Sequence, residues 1–164
     1  MRVCLVGLLV AAVALAGAAT AQDKLSFDKL PKPVQAAVKA KYPGAEVRYA
    51  SKEVVDGKTS YEVYMKRKGK GLDVTFSPKG DIEVVEKEID AKDLPEKVRA
   101  AVDRKHPKAS FTKVEEISKA VGGKMVVDVY ELLFTADKKT VEMTITPDGK
   151  VTEEKEKKPK KSGV

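Results

Sequence analysis

The stretch LPKPVQAAVKAKYPGA, residues 30–45, decides the fold because it returns 64 residues later as LPEKVRAAVDRKHPKA, residues 94–109. Nine of the sixteen aligned positions are identical. Apolar residues such as Val34 and Val38 recur at the spacing of one helix face. Pro43 follows them and ends the pattern. The sequence therefore predicts the same helix twice.

After each helix the hydrophobic period changes to two, which is typical of a strand with one buried face. The segments YEVYM (61–65) and LDVTFSPKG (72–80) return as YELLF (130–134) and VEMTITPDG (141–149), now at an offset of 69. The change of offset from 64 to 69 is a five-residue insertion, which we expect in a longer hairpin loop near 119–124. In the first copy we expect the following residues in the core: Val47, Tyr49, Tyr61, Val63, Met65, Leu72, Val74, Phe76, Ile82 and Val84.

Short turns connect the predicted strands. DG at 56–57, SPKG at 77–80 and TPDG at 146–149 carry Gly or Pro where tight turns need them. Strands joined in this way form an antiparallel meander, and one helix can cover its apolar face. We therefore predict an α+β protein of two tandem repeats, each with one helix packed on a four-stranded antiparallel β-meander. The linker 87–93 lacks Gly, Ser and Pro, so we expect the repeats to pack side by side.

The N-terminus has the features of a signal peptide. Arg2 is the only charged residue before Asp23, an apolar run follows it, and the small residues at 19–21 match a cleavage motif. We predict cleavage after Ala21, a periplasmic or secreted location, and no stable membrane insertion after cleavage. The alternative is an uncleaved anchor, because residues 3–21 are all uncharged and a helix of ~20 residues spans a bilayer.

These features set the predicted domain boundaries. Residues 1–21 are the signal peptide, 22–88 the first repeat, 89–157 the second repeat, and 158–164 a disordered basic tail. The only cysteine, Cys4, precedes the cleavage site. The mature chain would therefore have no disulfide, no thiol nucleophile and no thiolate metal site.

Composition argues against several classes of function. The net charge is +7, and Lys and Arg are interspersed with Asp and Glu, so no basic stripe for nucleic acid forms. The chain has no tryptophan and no aromatic platform for base stacking. Because His106 is the only histidine, a His-based triad or a two-His metal site cannot form within one chain. We predict no catalytic residue, no cofactor, no metal and no nucleic-acid partner.

The segments LPKPVQAAVKAKYPGAEV, DGKTSYEVYM and LDVTFSPKGDI resemble the PepSY-like domains of exported bacterial proteins, often described as β-lactamase-inhibitor-like. The shared features are a Leu-Pro helix opening, a Tyr-Pro-x-Ala helix end, a Tyr-Glu-Val strand and a Pro-x-Gly turn. The resemblance covers residues 25–88 and 93–155. It implies one helix against an antiparallel sheet, export, and binding or inhibition of other proteins, with no catalytic residues to carry over. The second copy departs at His106 and Lys108, where the first has Tyr and Gly.

The sheet face away from the helix is left for binding. Alternation places Tyr64 and Leu133 there, which are equivalent at the offset of 69. An exposed aromatic and an exposed leucine among charges are typical anchors of a contact surface. The candidate partner-binding residues are Tyr64, Leu133, Glu62, Asp73, Glu131 and Glu142. The alternative is that the two anchors meet each other or form the symmetric interface of a homodimer. We expect the strand carboxylates, such as Asp73, to point at solvent and to have ordinary pKa values.

The sequence thus predicts an exported, non-enzymatic module. It would bind or inhibit another extracytoplasmic protein through the open face of its sheet. One alternative is a binder of an anionic small molecule or envelope polymer, which would use the basic residues. Another is an envelope stability or stress factor without a discrete ligand.

Overall fold

The computed structural model of the chain describes residues 24–157. The predicted signal peptide and the predicted basic tail lie outside the described residues. Within the described range, no helix has the length and apolar character needed to cross a membrane.

Two helices and nine strands follow one another along the described chain. They are β1 (Lys24–Leu25), a 3-10 turn (Phe27–Lys29), α1 (Lys32–Lys41), β2 (Glu46–Val55), β3 (Lys58–Arg67), β4 (Lys70–Phe76), β5 (Ile82–Glu88), a second 3-10 turn (Ala91–Asp93), α2 (Glu96–Lys105), β6 (Ser110–Val121), β7 (Lys124–Ala136), β8 (Lys139–Ile145) and β9 (Val151–Lys157).

All nine strands form one antiparallel sheet whose strand order is the order of the sequence. The halves join where β5 pairs with β6, from Val84 opposite Lys119 to Glu88 opposite Glu115. The predicted fold class is therefore wrong, because two separate repeats with a helix on a four-stranded meander are not what forms. That prediction treated β5 and β6 as the edges of two sheets. In the structure the N–H and C=O groups along these two strands hydrogen-bond to each other, and the two halves share one continuous ladder.

Both helices pack on the same face of this sheet. In the first half Val34 and Val38 of α1 contact a buried cluster that includes Val63, Met65, Val74 and Phe76. In the second half Val98 and Val102 of α2 contact Leu132, Phe134, Met143 and Ile145. Val85 of the first cluster pairs with Ser118, which alternates along β6 with Val114 of the second cluster. Because alternate residues of a strand share a face, the opposite face is open in both halves.

The Pro-x-Gly turns hold the sheet against the helices. Gly80 and Gly149 have φ angles of 87° and 88°. A Cβ atom at Gly80 would lie 2.6 Å from the Pro33 carbonyl oxygen, and one at Gly149 would lie 2.7 Å from the Lys97 carbonyl oxygen. Both the left-handed backbone and the close approach to the first turn of each helix require glycine.

Bulges change which side chains reach the core. Arg48 in β2 and Glu83 in β5 have no partner in the ladder, so the side chains that follow them exchange faces. As a result Tyr49 and Val84, which were predicted in the core, lie on the open face. Val85 packs in the first cluster in place of Val84.

The five inserted residues lengthen a hairpin, and the prediction of a longer loop is wrong. Gly122 and Gly123 form a two-residue turn, just as Asp56 and Gly57 do in the first half. The β6–β7 hairpin instead gains two residue pairs and one bulged residue, Asp128. The hairpin therefore projects further than its counterpart.

Candidate functional site

The open face carries carboxylates on six neighbouring strands, from β3 to β8. Register and alternation arrange them in a diagonal line from β3 to β8, which we call the acidic row: Glu62, Asp73, Glu86, Glu115, Glu131 and Glu142. Four of the six were predicted as site residues. The row crosses from the first half of the chain into the second, so it exists only because the two halves share one sheet.

Burial and mutual repulsion raise the pKa of these carboxyl groups. Burial, with repulsion from Asp73 and Glu53 and a hydrogen bond to Asp73, raises the pKa of Glu62 to about 7. The pKa of Asp73 rises to about 6 through burial and then through repulsion from Glu86 and Glu115. Burial, followed by repulsion from Glu115, Glu62 and Glu131, raises the pKa of Glu86 to about 6. The expectation of an ordinary pKa is wrong for Asp73, because the row is partly buried and its members face one another.

Two lysines pair with members of the row. Lys113 Nζ lies 2.7 Å from Glu115 Oε1, and Lys157 Nζ lies 2.7 Å from Glu142 Oε2. Asp73 Oδ1 is buried and has no hydrogen-bond partner among residues 24–157. Only Glu115 and Glu142 of the row form ion pairs among residues 24–157, so the row suits a cationic contact although the chain as a whole is basic. The described residues include no group of three His, Cys, Asp or Glu side chains placed to hold a metal ion.

An aromatic pair lies beside the first-half part of the row. Tyr64 is opposite Asp73 in the ladder and stacks on Tyr49, with ring centroids 5.0 Å apart and ring planes 30° apart. The Tyr64 ring also covers Gly71, where an added Cβ would lie 3.6 Å from it. Tyr49 is 37% exposed. The pair thus presents aromatic surface next to the carboxylates.

Leu133 lies at the other end of the row, opposite Lys113 on one side and Glu142 on the other. It is on β7 and Tyr64 is on β3, so four strand spacings of ~4.8 Å separate them. The two anchors therefore cannot meet within one molecule. The structure places all six predicted site residues on one face, and their role in binding stays a prediction.

Sequence reasoning missed Tyr49, Glu86 and Lys113 on this face. Each of them follows a bulge in its strand: Tyr49 follows Arg48, Glu86 follows Glu83, and Lys113 follows Thr112. Strict alternation along the strand therefore does not place these side chains on the open face. Adjacent apolar residues were the available signal. Val84 and Val85 cannot both face one side of a regular strand, and neither can Tyr49 and Ala50.

His106 takes no part in the open face. It ends α2, its ring centroid lies 5.1 Å from that of Phe134, and its Nε2 lies 2.9 Å from Glu154 Oε1. These contacts are on the helix side of the sheet, where its alignment with Tyr42 predicted a structural position.

The family described as "Putative beta-lactamase-inhibitor-like, PepSY-like" matches residues 19–83 and 59–153. No protein with a curated description matches the sequence. A solved structure from Bacteroides eggerthii, titled a "putative periplasmic" protein, superposes with a TM-score of 0.61 at 17% identity and covers 77% of this chain and 88% of that one. A BLIP-like protein from Bacteroides fragilis gives a TM-score of 0.56 at 17% identity and covers 82% of this chain and 92% of that one.

These comparisons bear on the family and on the fold. At 17% identity the two solved structures show the fold, and one of them, from Bacteroides eggerthii, is described as periplasmic, in line with the location that the sequence predicts. No catalytic family is indicated. The two matched segments are consistent with two tandem copies and together run from residue 19 to residue 153, which confirms the family that the repeated motifs predicted. The chain therefore belongs to the PepSY-like, β-lactamase-inhibitor-like family.

Proposed function

We propose that the chain is a non-enzymatic periplasmic module that binds another extracytoplasmic protein through its open face, and that the partner presents a basic segment there. The observation that carries this proposal is the acidic row, which lies between the aromatic pair at Tyr64 and the aliphatic side chain of Leu133. Complementary charge steers a partner and sets its orientation, while apolar anchors supply affinity.

The energetics of the row favour a cationic contact. Carboxylates that are partly buried and face one another cost free energy when ionised, as the raised pKa values of Glu62, Asp73 and Glu86 indicate. A lysine or arginine from a partner would remove much of that cost. The free energy of binding would therefore include relief of the electrostatic cost that these carboxyl groups impose on the free protein. When the partner is an enzyme, inhibition is one consequence of such binding.

The alternative ligand, an anionic small molecule or envelope polymer, is disfavoured on this face. It would have to approach six carboxylates, of which Lys113 and Lys157 pair with only two. Replacing Glu86 and Glu131 with Gln distinguishes a basic partner from an anionic ligand. These changes should weaken capture of a basic partner, whereas they should strengthen capture of an anionic one.

The direct test compares three versions of the protein as bait in a periplasmic extract. Tyr64→Ser with Leu133→Ser should abolish capture of the partner and lower the thermal midpoint only slightly, because both side chains are half-buried on the open face and neither belongs to the core clusters. Val54→Ser with Val55→Ser is the matched control, since these exposed valines lie at a hairpin tip outside the row. The control should capture the partner as the wild type does.

Two results would contradict the proposal. Undiminished capture by the Tyr64→Ser, Leu133→Ser protein would show that the open face is not the contact surface. A thermal midpoint well below that of the wild type would show that the two residues support the fold or a dimer, and the binding-face interpretation would fail.

A further inference from the structure

The β6–β7 hairpin ends in a strand with one unpaired edge. β8 pairs with β7 only from Tyr130 onward, where Tyr130 lies opposite Ile145. Residues 124–129 therefore have a strand neighbour only on the β6 side among the described residues. An edge of this kind presents a row of N–H and C=O groups that another strand can pair with.

This edge is also apolar and accessible. Met125 is 42% exposed and Val126 is 50% exposed. The outer strand β9, in contrast, has the sequence VTEEKEK, whose charges discourage pairing with another strand. On the other side of the sheet β1 covers part of β2. The β7 edge has no covering strand, and three apolar residues lie between its Lys124 and Asp128.

The hairpin geometry fixes which backbone groups point outward. Val121 and Lys124 flank the two-residue turn, and such flanking residues form a hydrogen-bonded pair. Lys124 and Val126 therefore direct their N–H and C=O groups toward β6. Met125 and Val127 direct theirs toward the open edge.

We propose that this edge pairs with the same edge of a second copy of the chain, antiparallel about a two-fold axis at Val126. In this register Met125 of each copy lies opposite Val127 of the other, so the outward groups of both residues hydrogen-bond across the axis. Val126 lies opposite Val126 of the second copy in a non-hydrogen-bonded pair. The arrangement uses one surface patch twice, as a two-fold interface must.

Side-chain charge selects this register. Lys124, Val126 and Asp128 share the open-face side, since Val126 lies opposite Lys119 and Asp128 Oδ2 lies 2.6 Å from Lys119 Nζ. Antiparallel pairing about Val126 brings Lys124 of each copy opposite Asp128 of the other. The Asp128 side chain is 43% exposed and can accept a second lysine. Two opposite-charge pairs and a central valine contact therefore form together.

Cross-linking tests the proposed axis directly. In a Cys4→Ser background the chain has no other cysteine, so Val126→Cys introduces one thiol per copy. A non-hydrogen-bonded antiparallel pair has a Cα separation of roughly 4.5 Å, which suits a disulfide. We expect rapid formation of a covalent dimer on mild oxidation. Val54→Cys, on the other hairpin and 59% exposed as valine, is the matched control and should cross-link much more slowly.

Charge reversal tests the register without a new bond. The wild type should show a monomer–dimer equilibrium in sedimentation between micromolar and millimolar concentration. Lys124→Glu or Asp128→Lys alone places like charges opposite each other at two sites, so each should raise the dissociation constant about tenfold or more. The double variant restores both opposite-charge pairs across the axis, so it should associate more tightly than either single variant, although Asp128→Lys also removes the pair with Lys119 within each copy. Met125 and Val127 amides should also exchange more slowly at high concentration than at low concentration.

Three outcomes would overturn the proposal. The wild type could stay monomeric at millimolar concentration, the two cysteine variants could cross-link at equal rates, or single charge reversals could leave association unchanged. None of these outcomes bears on the acidic row, so this dimer and the proposed binding of a basic partner fail independently.

Discussion

Single glycines set the distance between the turns of the sheet and the helices. At Gly80 an added methyl group would overlap the Pro33 carbonyl oxygen, and φ is 87°. Gly80→Ala should therefore lower the free energy of unfolding by more than about 1 kcal/mol. Gly57→Ala is the matched control, because φ is 75° there but no atom lies within 4 Å of the added carbon. Urea titration should show the larger loss for Gly80→Ala, and equal losses would mean that contact with α1 does not matter.

The carboxyl groups of the acidic row make stability depend on pH. Glu62 titrates near 4.5 when unperturbed and at about 7 in the folded chain, so the folded state holds more protons across that window. Stability from this group is therefore full below about pH 4.5 and is lost as pH rises through about 7. Asp73 and Glu86 act in the same direction, with pKa values of about 6. We expect a higher thermal midpoint at pH 5 than at pH 8.

Glu62→Gln supplies the control for this pH dependence. The substitution removes an ionisable group whose charged form is disfavoured by burial, so it should stabilise the protein at pH 8 and flatten the change between pH 5 and pH 8. Glu154, whose pKa is lowered by hydrogen bonds from Lys105 and His106, loses its contribution only at more acid pH. A thermal midpoint that rises from pH 5 to pH 8 would contradict the prediction.

At the scale of elements, periodicity predicted the helices and the approximate positions of the strands but not every face. Val34 and Val38 mark α1 correctly because helical spacing is local. The faces of β2 and β5 change at Arg48 and Glu83 because one extra residue reverses everything that follows it. The two-residue hydrophobic period does not indicate where such a bulged residue occurs. Part of the open face was therefore predicted and part was missed.

The contact of each helix with the sheet can be measured separately. Val34 in α1 and Val98 in α2 are fully buried at equivalent positions. Replacing either with Ala should lower the free energy of unfolding by roughly 1 to 3 kcal/mol, the usual cost of lost buried methyl groups. Val54→Ala, at an exposed position, should change it little. A silent substitution at either buried valine in a denaturant titration would show that its helix does not pack on the sheet as described.

For the whole molecule, the join between β5 and β6 is what the sequence could not predict. The repeat shows that two similar segments exist, but it does not state whether their edge strands remain separate or pair. The pairing depends on contacts between residues far apart in sequence, such as Val85 and Ser118. Lys87 Nζ and Glu116 Oε1, 2.9 Å apart, add one ion pair across the join. The acidic row, which crosses the join, was for that reason only partly foreseeable.

The agreement between strand order and sequence order has a consequence for how the chain folds. Every strand after the first pairs with the one that precedes it, so each strand can join the sheet without any segment that lies later in the sequence. Short loops make most of these steps entropically cheap. Two additions span longer connections: β2 to β1, across the 20 residues between Leu25 and Glu46 that contain α1, and β6 to β5, across the 21 residues between Glu88 and Ser110 that contain α2. A chain delivered across a membrane from its N-terminus could therefore fold in the order in which it arrives, with each new strand covering the edge left by the last.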